Sequence, residues 1–242
     1  MKIEQTYKIG YVDVDLNNTI RPRVLMKLFQ DVATVHSEKV GFGYTSLKAR
    51  GKAWVLYQMG IHVHRMPAVD DEIRIQSWHA KEDRLMASRD YLVTCGNGPL
   101  VSARGVWLMI DIQKNKLLRL TGENISEYYT VEPPIFDGPT FDAWNPSLML
   151  ELTHTCPIVL RPSDFDILGH VNNAVYFEYL EILIHEVLGD SVRFKSLHMQ
   201  YSKEIPAGTR EIQAGLQQRE DRFAFKFFSG KMMHAIGDFQ IA

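Results

Sequence analysis

The residue types most able to do chemistry gather in one run, Asp166-Ile167-Leu168-Gly169-His170-Val171-Asn172-Asn173, with Tyr176 and Glu181 following. The run stands where a short strand is expected to turn into a long apolar helix. A helix N-terminus presents unpaired backbone N–H groups and a partial positive charge. Those groups can stabilise the oxyanion that develops when an acyl carbonyl is attacked. The plainer reading is that Asp166 or Asn172 caps the helix. Capping alone requires neither His170 nor the paired Asn172 and Asn173, so the run reads as a site.

Other chemistry-bearing residues lack partners in the sequence. His62 and His64 alternate along an expected strand, but no third ligand lies at a useful spacing for a metal. Ser163 has no nucleophile-elbow context. Cys156, before Pro157, reads as a small packed hydrophobe. No glycine-rich nucleotide loop is present, and no cofactor is expected. The two cysteines, Cys95 and Cys156, exclude a disulfide framework. A net charge of -2 gives no basic surface for nucleic acid. The N-terminal residues have no signal-peptide core, and no apolar run approaches the roughly 18 residues of a membrane span. A cytoplasmic protein without membrane attachment is expected.

The elements that must position the run appear twice. A constant offset of 151 aligns Asp13 with Asp164, Asp15 with Asp166, Val24 with Val175 and Gln30 with Glu181. A later match, Met66-Pro67-Ala68 with Ile205-Pro206-Ala207, has an offset of 139, so the second copy is 12 residues shorter between the two matches. Such length changes fall in loops. In the first copy a helix is predicted from Pro22 to Val40, with apolar Val24, Leu25, Leu28, Phe29, Val32 and Val35 at helical spacing. In the second, a helix from Val171 to Leu188 is apolar almost all round and must be buried on most sides. Strands are predicted near 53–66, 72–79, 84–94 and 100–112, and again near 193–203, 211–219, 222–229 and 231–240. One buried helix followed by antiparallel strands predicts a sheet wrapped around that helix. The expected class is therefore α+β, with two tandem hotdog domains at residues 1–121 and 151–242. Prolines 133, 134, 139 and 146 mark 122–150 as a linker.

Asp-x-x-Gly-His-Val-Asn-Asn-x-x-Tyr resembles the thioesterase motif of hotdog enzymes. With Val40-Gly41-Phe42-Gly43, Gly51-Lys52-Ala53-Trp54-Val55-Leu56 and Asp70-Asp71-Glu72-Ile73, the chain is similar over nearly its whole length to the acyl–acyl carrier protein thioesterases. The resemblance implies an Asp, an Asn and a His at alternating positions, plus a Glu on a later strand. Asp166 and His170 match the first and third. Glu204, 34 residues beyond His170, supplies the carboxylate. The expected Asn is Leu168, which cannot hydrogen-bond through its side chain. Ile205 stands where plant members carry Cys, which excludes a thiol nucleophile there.

These matches imply water attack on a thioester carbonyl. Glu204 would be general base, or less favourably a nucleophile, with His170 bonding water or carbonyl and Asp166 orienting it. The backbone N–H groups of Val171 and Asn172, with Asn173, would bind the oxyanion. The first copy carries Thr19, Arg21 and Arg65 at the positions of His170, Asn172 and Glu204, so it reads as a silent half that houses the acyl chain. The implied substrate is fatty acyl–acyl carrier protein, and Lys48, Arg50 and Lys52, or Arg193, Lys195 and Lys203, are candidate contacts for that acidic carrier. The alternatives are an acyl-coenzyme A thioesterase and a catalytically weak acyl-binding protein; a dehydratase fits the helix start less well. Assembly into a homodimer is left open.

Overall fold

A computed structural model describes residues 2–96, 98–120, 151–189, 192–219 and 222–242. The expected linker at 122–150 lies outside the described residues. Eleven strands form one continuous sheet in the order β1-β3-β4-β5-β2-β8-β11-β10-β9-β7, with β6 beside β5. The first half supplies β1 (Ile3–Lys8), β2 (Lys52–Val63), β3 (Glu72–Glu82), β4 (Met86–Cys95), β5 (Gly98–Asp111) and β6 (Lys116–Leu117). The second supplies β7 (His154–Val159), β8 (Phe194–Tyr201), β9 (Glu211–Arg219), β10 (Arg222–Ser229) and β11 (Met232–Ile241). All pairings are antiparallel, and each half repeats the same strand order outward from the centre. The halves join where β2 meets β8, with Met59 opposite Met199. There Gln58 Nε2 donates to Gln200 Oε1 at 2.8 Å, which satisfies two buried amides at the seam.

Two long helices pack on this sheet and against each other, α1 (Pro22–Lys39) and α3 (Val175–Leu188); a short α2 (Tyr44–Ala49) follows α1. Pro22 opens α1 because its fixed φ suits a first helical turn and its missing N–H is not needed there. Gly189 closes α3 at φ 80°, a left-handed cap that glycine takes without Cβ strain. On α3, Phe177, Tyr179, Leu180, Leu183 and Ile184 are all 2% exposed or less. Burying each such side chain contributes about 1.5–3 kcal/mol, which offsets the entropy of ordering the helix. The hotdog expectation holds in each half.

Three local expectations need correction. The second helix starts at Val175, not Val171, because Val171 is bridged to Phe165 in a tight antiparallel turn. Helix α2 was not anticipated; it occupies the 12-residue excess of the first copy and covers a small apolar cluster of Phe42, Leu47, Ala87, Met109 and Leu120. The hairpins after β2 and β8 also match one residue differently from the sequence alignment. Thr19 bridges Ala68 where His170 bridges Pro206. Asp70 and Gly208 take the same left-handed turn position. The counterpart of Glu204 is therefore Met66, not Arg65.

Candidate active site

The loop before α3 is built by two aspartates with separate tasks. Asp164 is fully buried and accepts the Arg161 backbone N–H at 2.9 Å, Arg161 Nε at 3.1 Å and the Tyr179 hydroxyl at 2.8 Å. Burial and this bond to Asp164 push the Tyr179 phenol well up, so it stays a neutral donor. Asp166 is half-buried, and its Oδ1 accepts the Leu168 N–H at 2.9 Å in a local side-chain turn. Gly169, at φ 78°, lets the chain reverse so that the His170 carbonyl accepts the Asp166 N–H at 2.9 Å. Asn172 Oδ1 then accepts the Ala174 N–H at 2.9 Å, ahead of the helix.

The structure brings His170 and Glu204 together. His170 Nε2 lies 3.8 Å from Glu204 Oε1, with side chains 40% and 52% exposed. This gap is too long for a direct hydrogen bond, yet one water can sit at ordinary bonding distance from both atoms. Tyr176 is buried and close enough to Glu204 to feel its charge. Burial, with the Glu204 charge adding to it, pushes its phenol up. The Tyr201 hydroxyl donates to the Asn173 carbonyl at 3.0 Å and ties β8 to the start of α3.

Two of the expected oxyanion donors are already spent. The Val171 N–H donates to the Ile205 carbonyl at 3.0 Å and the Asn172 N–H to the Asp164 carbonyl at 2.9 Å. Neither can serve an oxyanion without breaking the turn. Asn173 remains: its backbone N–H has no protein acceptor among the described residues, and the residue faces a cavity.

That cavity, about 310 Å³, runs from Asp166, Leu168, Asn172 and Asn173 into the first half of the chain. Phe42, Leu47, Trp54, Ala87 and Trp107 supply apolar wall; Gln30, Thr34, Ser37, His79 and Arg89 supply polar wall. His170 stands between Leu168 and Asn172 on the loop that lines it, and neither His170 nor Glu204 is part of the lining. Arg89 is buried and donates to His36 Nδ1 at 3.0 Å and Ser77 Oγ at 3.1 Å. Burial, reinforced by the Arg89 guanidinium, lowers His36 and His79 to about 4, so both are neutral at pH 7. Leu168 sits at the mouth, 54% exposed.

The remaining candidates separate from this site. His62 and His64 stack edge to face at 4.9 Å, and no group of three metal-ligating side chains occurs among the described residues. Cys95 and Cys156 are free thiols, and burial raises the Cys156 thiol. Among the described residues no helix is long and apolar enough to cross a membrane. Sequence reasoning missed Asp164, Tyr179 and Tyr201 as supports of the loop, and Gln30 as a cavity residue. The offset of 151 had already paired Gln30 with Glu181.

Residues 1–128 match the family described as Acyl-ACP thioesterase N-terminal domain, and residues 151–232 match Acyl-ACP thioesterase C-terminal domain. Oleoyl-acyl carrier protein thioesterase 2 of Arabidopsis thaliana is 27% identical over 218 residues, which covers 84% of this chain and 58% of that protein. A palmitoyl-acyl carrier protein thioesterase of Cuphea hookeriana is 27% identical over 214 residues, 83% of this chain and 51% of that protein. The chain thus spans little more than half the length of these curated relatives. Two solved structures share the fold over 100% of the chain. An acyl-ACP thioesterase from Bacteroides thetaiotaomicron has TM-score 0.87 at 24% identity, with 98% of that chain covered. The 12:0-ACP thioesterase from Umbellularia californica has TM-score 0.86 at 17% identity, with 97% covered.

Proposed function

Because the chain belongs to the acyl-ACP thioesterase family, we propose that it hydrolyses the thioester of a fatty acyl chain carried on acyl carrier protein. The observation that carries this reading is the 3.8 Å approach of His170 and Glu204, with His170 on the same loop whose Asp166, Leu168, Asn172 and Asn173 line a cavity entering the other half. The acyl chain lies in that cavity, where each buried CH₂ contributes about 0.8 kcal/mol. The thioester carbonyl then rests near Asn173, and a water rests between His170 and Glu204.

Glu204 removes a proton as the water oxygen bonds to the carbonyl carbon. The carbonyl oxygen becomes an oxyanion and accepts the Asn173 N–H. Collapse restores the carbonyl, breaks the C–S bond and expels a thiolate, which takes the proton back from Glu204 through His170. Asp166 acts at one remove, by holding the turn that presents His170. Lys52 lines the cavity, and just before it in the chain Lys48 stands in the last turn of α2 and Arg50 at its C-cap. Arg50 Nη2 donates to the Gly41 carbonyl at 2.7 Å, so it also fixes that loop. Their positive charge suits an acidic carrier protein.

The test is to incubate the chain with octanoyl, dodecanoyl and hexadecanoyl thioesters of acyl carrier protein and of coenzyme A. Free thiol and free fatty acid should appear in equal amounts, faster from the carrier protein. His170→Ala should lower kcat by about 10²-fold, the scale of one lost proton-handling group. Tight binding of the thioester with no thiol released would mean an acyl-binding protein instead.

A further inference from the structure

Gln30 belongs to α1, in the half that holds none of the proton-handling or oxyanion-binding groups named above. It is half-buried and lines the cavity together with Asp166, Leu168, Asn172 and Asn173. Its side-chain amide makes no hydrogen bond among the described residues.

The internal two-fold shows where a side chain at this helical position reaches. Under the offset of 151, Gln30 corresponds to Glu181, Asn172 to Arg21 and Asp166 to Asp15. Glu181, Arg21 and Asp15 all line a second cavity of about 760 Å³, the counterpart of the first. There Glu181 Oε1 lies 4.0 Å from Arg21 Nη1, and the Asp15 carboxylate is close enough to act on the Glu181 charge. The side chain on one half's helix thus extends to the loop of the other half. Carried to the first cavity, the same geometry sets Gln30 against the 166 and 172 positions. The residue type fits that setting. A carboxylate at position 30 would face Asp166, whereas an amide offers two N–H donors at any pH. On the loop, the position between Asp166 and His170 offers only the apolar Leu168, which has no side-chain donor.

We infer that Gln30 is a catalytic residue of the hydrolysis: its Nε2 donates a hydrogen bond to the thioester carbonyl oxygen as negative charge develops, alongside the Asn173 N–H. The inference rests on the thioester-hydrolase reading and brings the silent half into the chemistry.

The experiment compares the full chain with Gln30→Met, Gln30→Glu and the double variant Gln30→Met, Leu168→Asn, on the same carrier-protein thioesters, with thermal melts alongside. Gln30→Met should melt like the parent and lose about 10²-fold in kcat, the cost of one oxyanion donor, with KM little changed. Gln30→Glu keeps the shape without the N–H donors at pH 8 and should lose as much; it gives the same reading if the methionine variant does not fold. Leu168→Asn, which places an amide on the facing wall, should recover about tenfold in the methionine background, the worth of one hydrogen bond to a charged group. Unchanged kcat in both Gln30 variants, a loss expressed only in KM, or no recovery with Leu168→Asn would overturn the inference while leaving the hydrolase reading intact. A parent chain that releases no thiol from any of these esters would overturn both.

Discussion

Asp164 and Asp166 differ by two positions and by almost everything else. The first is sealed against Arg161 and Tyr179; the second shapes an exposed turn. A sequence shows both as acidic residues near a helix start, and only the packed partners separate them. The same holds for the oxyanion donors. Whether the Val171 N–H is free depends on the Ile205 carbonyl, which arrives from the next hairpin. By contrast the pairing of His170 with Glu204 was implied by the family resemblance, and the fold sets the two 3.8 Å apart. Glu181 yields a prediction at this scale. Burial raises its carboxyl to about 7, with Arg21 opposing and Glu178 and Asp15 adding. A carboxyl raised in the folded state binds its proton more tightly there than in the unfolded chain. Stability from this group is therefore complete below pH 4.5 and is lost as pH climbs toward 7. Glu181→Gln should melt like the parent at pH 4.5 and above it at pH 8, by on the order of 3 kcal/mol. Chemical melts across that range check this; a difference that does not grow with pH would contradict it.

Helix α2 is the element that makes the two halves unequal. The segment Tyr-Thr-Ser-Leu-Lys-Ala offers too short a run for periodicity to reveal, although the 12-residue excess of the first copy marked its location. Leu47, 1% exposed, descends from α2 into the cavity wall beside Phe42 and Ala87. Leu47→Ala should lengthen the space available to an acyl chain and cost about 2–5 kcal/mol in stability. Turnover should shift toward the longer of the three thioesters, read as the ratio of free acids released from an equimolar mixture. An unchanged ratio would put the acyl chain somewhere other than under α2. The long helices and most strands were visible in advance because their apolar spacing follows one period each. The start of α3 was misplaced because Val171 is as apolar as a helical residue while serving a β-bridge.

At the scale of the molecule, duplication explains both the symmetry and its failure. Two copies meet across β2 and β8 and build one continuous sheet with two related cavities. Each cavity combines one half's long helix with the loop of the other half, so a site belongs to neither half alone. Only one loop kept a histidine, and only one hairpin kept the carboxylate; Thr19 and Met66 stand at the matching places. The repeat in sequence revealed the two-fold, and the first copy was expected to house the acyl chain; that Gln30 of α1 would share a wall with the 166–173 loop was not visible. The most direct measurement is the rate of thiol release from dodecanoyl–acyl carrier protein by Glu204→Gln, an isosteric change at an exposed position that should leave the melt unaltered. General-base action by Glu204 predicts a fall in kcat of about 10²–10⁴-fold. A folded glutamine variant that releases thiol as fast as the parent would contradict it.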